Sequence, residues 1–361
     1  MTLEFPSSPS NNQVYENYIY NSTAGAWQKL PGNTFADAAI SDTPPVNPNN
    51  GDLWWSNDLT TGNKLSVYNG SSFVNTAPIS NNAIINGDFG IWQRGTSITA
   101  NSNVYTADRF LAACATSFSG LSRTVTRETF TPGDIEAIGY GDAEFYFRDT
   151  ITTIGSAITP RIAYRVEDVR AFAGQKVTVS LWARSSTHTN LTISLVQAFG
   201  SGGSASVLLS FDAETISSNW QRITATVDVD SVVGKTIGSD SRLEIRLFNN
   251  QADGAVLDLW GVQLEAGPVA TPFRLAGGGS KGAELALCQR YYSRDNAVDS
   301  YTAFATVSSQ STTTIRGSYR FPATMRITPS VSFSGNFQAP GLDNGPVTPT
   351  MARLNINGGD I

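Results

Sequence analysis

The stretch Val177-Thr-Val-Ser-Leu-Trp-Ala-Arg184 alternates apolar and polar side chains along its whole length. Successive side chains of a β-strand point to opposite faces, so one face of this strand is aliphatic and the other carries Trp182 and Arg184. The segment 223–229 repeats the alternation. Short strands of this kind between residues 83 and 273, separated by turn residues and without a long helix, predict an all-β antiparallel sandwich of jelly-roll type.

The composition limits the classes of function. A chain of 361 residues has room for two or three domains. Only 15% of its residues are charged and the net charge is −6, which argues against nucleic-acid binding, because that binding depends on clustered Lys and Arg. Cys114 and Cys288 are the only cysteines, so each is predicted to be a buried thiol rather than part of a disulfide framework or zinc site.

A short pattern occurs twice near the start of the chain. The first copy contains Asn11-Asn-Gln-Val-Tyr15 and then Trp27, and the second contains Asn50-Gly-Asp-Leu-Trp54 and then Tyr68-Asn-Gly70. Each copy predicts a small β-hairpin marked by aromatic residues. Units of about 30 residues bury too little apolar surface to fold alone. Residues 1–78 are therefore predicted to form a docking module, with these contact residues: Tyr15, Trp27, Trp54 and Tyr68.

The chain changes character after residue 276. Residues 277–292 are predicted to be a Gly-rich linker and a helix from Lys281 to Tyr292, capped by Ser280. Residues 293–361 are predicted to form a C-terminal β domain. The tail from Gln338 onward shows no strand pattern, which leaves open whether that domain is complete.

No segment predicts secretion or membrane insertion. Met1-Thr-Leu-Glu-Phe5 has neither the basic nor the apolar region of a secretory signal. No apolar run approaches the roughly 20 residues that span a bilayer.

Four landmarks follow one another in the sandwich region: Asn86-Gly-Asp-Phe89, Val179-Ser-Leu-Trp-Ala-Arg184, Asn219-Trp-Gln-Arg222 and Leu257-Asp-Leu-Trp-Gly-Val-Gln-Leu-Glu265. In this order they resemble the jelly-roll carbohydrate-binding modules, which implies such a domain over residues 79–276. The resemblance also implies a structural calcium, with Asp88 and Asp258 as ligands.

Trp182 and Arg184 are the predicted carbohydrate contacts, because an indole stacks on a sugar ring and a guanidinium donates to sugar hydroxyls. The alternative is that Trp182 is covered by a loop or by a neighbouring subunit. Trp92, Trp220 and Trp260 lie at strand ends and are predicted to be core residues.

The duplicated hairpin, together with Glu284-Leu-Ala-Leu-Cys-Gln-Arg-Tyr-Tyr292 and Phe321-Pro-Ala-Thr-Met-Arg326, resembles phage tail-fibre and related virion proteins. That family is commonly trimeric at its tip, which implies a homotrimer with Leu285, Cys288 and Arg290 around the three-fold axis. The resemblance also implies contacts with neighbouring tail, baseplate or capsid proteins. It implies synthesis in the host cytoplasm and a final location on the virion.

The predicted function is therefore a structural virion protein, a tail fibre or receptor-binding fibre that attaches to host surface polysaccharide. A capsid head fibre or decoration protein without glycan binding is the alternative. A polysaccharide depolymerase would need a pair of carboxylates, but the acidic residues of the sandwich are predicted to be solvated: Glu128, Asp134, Glu136, Asp142, Glu144 and Asp149. No nucleophile motif surrounds His188, the only histidine, so no catalytic residue and no enzyme activity are predicted.

Overall fold

The computed structural model describes the chain over residues 8–10, 14–15, 18–23, 25–29, 39–41, 43–56, 64–68, 70–75, 82–157, 159–211, 213–249, 252–297, 303, 305–311, 314–335, 337–338, 349 and 351–360. The chain divides into two compact units, Met1–Ile79 and Ser80–Ile361. Each unit is built almost entirely from strands.

The first unit has seven short strands in its described residues: β1 (Val14–Tyr15), β2 (Tyr18–Asn21), β3 (Ala26–Lys29), β4 (Ala39–Ser41), β5 (Leu53–Ser56), β6 (Lys64–Tyr68) and β7 (Phe73–Asn75). Strands β1, β2 and β3 form one antiparallel sheet. Strands β4 to β7 form a second sheet, in which β4 runs parallel to β5 and the other pairs are antiparallel.

The two copies of the sequence repeat form equivalent aromatic pairs. Tyr20 lies opposite Trp27 across the β2–β3 hairpin, and Tyr68 lies opposite Phe73 across the β6–β7 hairpin. The ring centroids are 5.5 Å apart in the first pair and 5.3 Å apart in the second. Such cross-strand aromatic pairs stabilise two-stranded units that have little core of their own.

The predicted docking residues lie on strands of these two small sheets. Trp54 packs edge-on against Phe73 and its indole N–H donates to the Ser41 carbonyl at 3.2 Å. Trp27 and Tyr68 are half-buried. Tyr15 belongs to β1, but its side chain lies outside the described part of the chain. The docking role of this unit stays a prediction.

The second unit begins with a sandwich whose strands are β8 (Ser97–Thr99), β9 (Val104–Tyr105), β10 (Phe110–Ala113), β11 (Ser122–Thr129), β12 (Phe145–Thr153), β13 (Arg161–Glu167), β14 (Lys176–Arg184), β15 (Asn190–Ala198), β16 (Val207–Ser210), β17 (Glu214–Thr215), β18 (Gln221–Asp228), β19 (Arg242–Asn249) and β20 (Ala255–Ala266). We call the sheet of order β18-β14-β20-β12-β11-β8 the front sheet. We call the sheet of order β16-β15-β19-β13-β10-β9, to which β17 adds beside β15, the back sheet. All their strand pairs are antiparallel, so the predicted all-β jelly roll is confirmed.

The main core fills the space between the front and back sheets. Val177, Val179, Leu181 and Ala183 are fully buried there, as their alternation predicts. Leu243, Ile245 and Leu247 approach from the back sheet. Because these residues point inward, the alternate residues of each strand point outward. The outward residues form the outer faces of the front and back sheets, where a ligand could bind.

A bulge at Gly261 sets the outward face of β20. Before it, Leu257 and Leu259 point into the core, and after it Val262 and Leu264 do so, which requires one extra residue. Gly261 has a φ of 64°, a left-handed conformation that glycine adopts without strain. A Cβ here would lie 3.2 Å from the Trp182 ring. The bulge therefore keeps Asp258 and Trp260 on the outer face of the front sheet.

Two short helices accompany the sandwich in the described residues. Helix α1 (Pro132–Ile138) is capped by Thr131, whose hydroxyl accepts from the Asp134 N–H, and it ends at Gly139 in the left-handed region. Helix α2 (Lys281–Gln289) is capped by Ser280 as predicted, but it ends three residues before Tyr292. No helix among the described residues is long and apolar enough to cross a membrane.

The C-terminal segment forms a small sheet of order β21-β22-β24-β23. Its strands are β21 (Thr306–Ser309), β22 (Ile315–Arg320), β23 (Ala352–Asn355) and β24 (Gly358–Asp360). The prediction that the tail lacks strands is wrong, because β23 and β24 lie within it. Alternation could not reveal strands of three or four residues that pair mainly through their backbones.

A carboxylate surrounded by arginines lies on the outer face of the back sheet. The Glu244 side chain is only 3% exposed, and its oxygens accept from Arg165 at 2.9 Å, Arg242 at 3.2 Å and Arg246 at 2.8 Å. Burial alone would raise the pKa of Glu244, but the hydrogen bonds and charges of Arg246 and Arg165 outweigh it and lower that pKa to about 2.

This pKa predicts an acid-dependent loss of stability. A carboxyl whose pKa is lower in the folded than in the unfolded chain stabilises the fold above its unfolded pKa, near 4.5 for this group. That stabilisation, roughly 3 kcal/mol in total, is lost as the pH falls from about 4.5 towards 2. We expect Glu244→Gln to abolish this part of the pH dependence in urea unfolding of the full chain. The exposed control Glu136→Gln should retain it, and equal pH slopes for wild type and Glu244→Gln would contradict the assignment.

Candidate functional site

The outer face of the front sheet brings together three charged side chains from neighbouring strands. Arg148 on β12 and Arg184 on β14 both lie directly opposite Asp258 on β20. Each faces outward because its neighbours Phe147, Ala183 and Leu259 lie in the core. The three side chains therefore meet on one surface.

Asp258 holds both arginines. Arg148 Nε and Nη2 donate to its two oxygens at 2.7 and 2.8 Å, a two-pronged pair. Arg184 Nε donates to the second oxygen at 2.9 Å. The Asp258 side chain is only 4% exposed, whereas both guanidiniums retain some contact with solvent. The pair raises the pKa of Arg148 above its ordinary value through the Asp258 hydrogen bonds.

Further contacts fix the direction of Arg184. Its Nη1 donates to Asp134 of α1 at 2.7 Å, and its Nη2 donates to the Tyr146 hydroxyl at 3.2 Å. The guanidinium carbon also lies 4.6 Å from the centre of the Trp220 ring, a cation–π contact. Burial raises the pKa of Tyr146, with the Asp258 charge acting in the same direction. The phenol therefore stays neutral at physiological pH and accepts hydrogen bonds from the arginines.

A depression of about 160 Å³ opens beside these arginines. Its lining consists of Arg148, Arg184, Ser185, Ser186, Ser218, Val256 and Asp258. Ser186 and Ser218 are exposed, so their hydroxyls are accessible to a ligand. Ser185 is buried and donates to the Val256 carbonyl at 2.6 Å. The depression thus combines guanidinium donors, a carboxylate edge, two exposed hydroxyls and one apolar side chain.

Trp182 is packed in an aromatic cluster and does not present an open ring face for a sugar, as the prediction required. It packs beside Trp260 and Phe273, in a cluster that also contains Phe130, Tyr146 and Trp220. Its indole nitrogen is buried and has no hydrogen-bond partner among the described residues. The packing favours the alternative that Trp182 is covered, because it is half-buried against an aromatic cluster of its own chain. Trp92, Trp220 and Trp260 are buried, so their predicted core position is confirmed.

The two predicted calcium ligands do not form one site. Asp258 is engaged by the two arginines described above. Asp88 follows Gly87, whose carbonyl accepts from the Val262 N–H, and Val262 lies four residues further along β20, about 13 Å from Asp258. Among the described residues, no group of three or more His, Cys, Asp or Glu side chains could hold a metal. The calcium stays a prediction that these contacts do not support.

The three predicted trimer residues have unequal exposure. Cys288 is buried within the single chain, so its assignment to a subunit interface is wrong. Burial raises the pKa of this thiol well above its ordinary value. Leu285 is 37% exposed and remains available to a partner. Arg290 forms an ion pair with Glu167 of the same chain at 3.4 Å. The homotrimer itself stays a prediction.

The sequence analysis did not single out Arg148, which completes the arginine site together with Tyr146 and Asp134. Arg148 and Tyr146 alternate with buried Phe147 on β12, so strand periodicity could have placed them outward. Asp134 is predicted to be solvated. In the structure it lies in the first turn of α1, and its carboxylate forms an ion pair with Arg184.

Comparisons with known proteins give structural likenesses only. No protein-family model matches the chain, and no curated protein matches it. Similar solved structures include the CBM22-1 xylan-binding domain from Paenibacillus barcinonensis, at 13% identity, with 48% of this chain and 94% of that chain covered and a TM-score of 0.31.

Two other similar structures are of proteins described as enzymes. The enzymatically active domain of bacteriophage CBA120 tailspike protein 4 is 12% identical, with 55% of this chain and 24% of that chain covered and a TM-score of 0.30. A cyclase from Fischerella sp. TAU is 14% identical, with 52% and 98% covered and a TM-score of 0.34. At such scores these likenesses establish neither a family nor a function for this chain.

Proposed function

We propose that this chain binds carbohydrate at the depression between Arg148, Arg184, Ser186 and Ser218, and that it does so as a receptor-binding fibre on a virus particle. The observation that carries the proposal is the fixed pair of guanidiniums beside exposed hydroxyls. A guanidinium presents several N–H donors in a planar fork, which matches the adjacent oxygens of a sugar ring.

Preorganisation supports binding rather than a purely structural role. Arg184 is already held by Asp258, Asp134 and Tyr146. A ligand therefore does not have to immobilise this long side chain, and the entropic cost of binding falls. The Val256 side chain gives the depression an apolar wall against which the C–H groups of a sugar can pack.

The size of the depression indicates the kind of ligand. At about 160 Å³ it is smaller than the roughly 300–1,000 Å³ of sites for drug-sized molecules. It suits one sugar residue, such as the end of a chain or a single branch. Contacts of this extent are weak individually, so adhesion would depend on several copies acting together.

The virion setting is supported by the fibre-like sequence patterns and by the paired aromatic hairpins of the first unit. A decoration protein without glycan affinity is the competing function. Mass spectrometry of purified particles from cultures that express the chain tests its location. Absence of the chain from such particles would overturn the virion part of the proposal.

The binding site is tested by replacing an exposed serine at the edge of the depression with a bulky side chain that fills it. We expect Ser218→Phe or Ser186→Phe in the full chain to lower affinity for glycans selected on an array by at least about tenfold, equivalent to 1.4 kcal/mol. Both serines are exposed, so these changes should leave the fold intact, as circular dichroism can verify. Ser102→Phe, at another exposed serine, is the matched control. A folded chain that binds no glycan, or filled variants that bind like wild type, would overturn the proposed site.

A further inference from the structure

The arginines on the outer face of the back sheet outnumber the carboxylates on that face. Arg161 and Arg165 alternate on β13 with core residues Ile162 and Tyr164, so both face outward. On β19, Arg242 and Arg246 flank Glu244 on the same face. Glu167, the other carboxylate of this face, pairs with Arg290 and Arg326 instead. The net charge of the whole chain is −6.

Arg161 is the member of this group without a counter-charge. It forms no ion pair among the described residues, whereas Arg165, Arg242 and Arg246 all pair with Glu244. Its Nε atom is buried and has no hydrogen-bond acceptor there. Burial lowers the pKa of Arg161, and the positive charge of nearby Arg246 acts in the same direction. An anion placed beside Arg161 would relieve both unfavourable effects.

The side chains between the arginines are small. Ala163 lies opposite Arg246, and Ser194 lies opposite Arg246 on the other side. Val196 lies opposite Glu244 in the next row. These side chains are small and buried beneath the arginine stems. No bulky side chain at these positions stands between the arginine heads, which leaves room for an extended chain beside them.

From this arrangement we infer that the outer face of the back sheet binds an acidic polysaccharide through its carboxylate groups. Guanidinium and carboxylate groups pair in a planar, two-pronged geometry. Arg161 supplies an unpaired fork, and the exposed edges of Arg165 and Arg246 supply further donors. This site lies on the opposite sheet from the depression and does not depend on the proposed function of that depression.

The same charges fit nucleic acid less well. Binding of a nucleic-acid strand relies on many phosphate contacts and on aromatic side chains that stack with bases. Here the acidic balance of the whole chain repels a polyphosphate, and the rows between the arginines consist of alanine, serine and valine. A flexible polyanion with spaced carboxylates carries fewer charges than a polyphosphate and needs no aromatic residues to stack on, so it suits the arginine face better.

The test uses the full chain and polygalacturonate as the probe, with neutral dextran as the uncharged reference. We expect salt-sensitive binding of polygalacturonate, no binding of dextran, and a loss of at least about fivefold in affinity for Arg161→Gln. Since Arg161 has no ion pair to lose within the described part of the chain, this change should leave the fold intact.

A second variant makes the test independent of Arg161. Ser210 is exposed on β16, outside the core and opposite Ser194, so Ser210→Glu adds a negative charge to the arginine face without removing a contact. It should weaken polygalacturonate binding, whereas Thr224→Glu, on the outer face of the front sheet, should not. Ser218→Phe should also leave it unchanged, which separates this site from the depression.

Three outcomes would overturn the inference. The first is that folded wild type does not bind polygalacturonate. The second is that the Arg161→Gln and Ser210→Glu variants both bind it as tightly as wild type does. The third is that the wild type binds a DNA oligonucleotide more tightly than polygalacturonate and that both variants weaken this binding. The last result would assign the face to nucleic acid.

Discussion

Replacing Arg123 with methionine is expected to lower the free energy of unfolding by about 3–5 kcal/mol, the cost of breaking a buried ion pair. The Arg123 side chain is fully buried, and its Nε and Nη2 each donate to one oxygen of Asp149 at 2.7 Å. Its Nη1 donates to the carbonyl of Ala113 at 3.3 Å. Because Arg123 lies on the front sheet and Ala113 on the back sheet, this side chain joins the two sheets at one edge of the sandwich.

The loss should come mainly from the partner that remains. Without Arg123, the nearly buried carboxylate of Asp149 has no cation beside it, and its desolvation is no longer compensated. Urea unfolding of the full chain, followed by circular dichroism, measures the effect.

The matched control removes both charges. The double variant Arg123→Met with Asp149→Leu should recover most of the lost stability, because apolar residues of similar volume replace a buried ion pair at little cost. A single variant that costs less than about 1 kcal/mol would show that water reaches Asp149 and screens its charge.

This pair shows how far alternation predicts the sandwich. Residues Arg123 and Val125 share one face of β11, and Val125 lies in the core. The pattern therefore places Arg123 inward, but only the fold shows that Asp149 is there to meet it. The prediction that Asp149 is solvated is wrong for this reason. Sequence periodicity gives the face of a residue and not its partner from another strand.

Alternation also predicts only part of the arginine depression. The alternation of β14 placed Trp182 and Arg184 together on the outer face, and the structure agrees with that placement. What the sequence could not predict is which parts of the chain cover this face. Trp182 packs against the aromatic cluster of Trp220 and Trp260, whereas Arg184 remains at the edge of the depression. The difference arises from contacts between residues far apart in sequence, which no local pattern encodes.

Replacing Glu284 with alanine is expected to release helix α2 from the sandwich at a cost of about 2–6 kcal/mol, since it leaves one buried and one part-buried N–H group without acceptors. Glu284 is buried on α2, and its two oxygens accept from the N–H groups of Asn86 at 2.5 Å and Gly277 at 2.6 Å. The first of these groups belongs to the turn that opens the sandwich and the second to the linker. One side chain therefore ties three segments together.

Two stacked pairs extend this attachment beyond the helix. Arg94 lies 3.5 Å from the ring centre of Tyr292, and Arg109 lies 3.5 Å from that of Tyr291. Gln93 also donates to the Tyr292 carbonyl at 2.7 Å. These contacts give a physical reason for the Glu284–Tyr292 sequence motif. Its residues fix the helix and the following chain to the sandwich, so the C-terminal sheet starts from a defined position.

A graded series separates the acceptor role of Glu284 from its size. Glu284→Gln keeps one acceptor oxygen and should lose less stability than Glu284→Ala. Leu285→Ala, at the neighbouring and exposed position, should change the free energy of unfolding by less than about 0.5 kcal/mol. Hydrogen exchange of the α2 amides should rise selectively in Glu284→Ala, because local opening exposes the helix before the sandwich unfolds. Unchanged exchange in that variant would show that the stacked tyrosines hold the helix without Glu284, and the fixed position of the C-terminal sheet would then rest on Arg94 and Arg109.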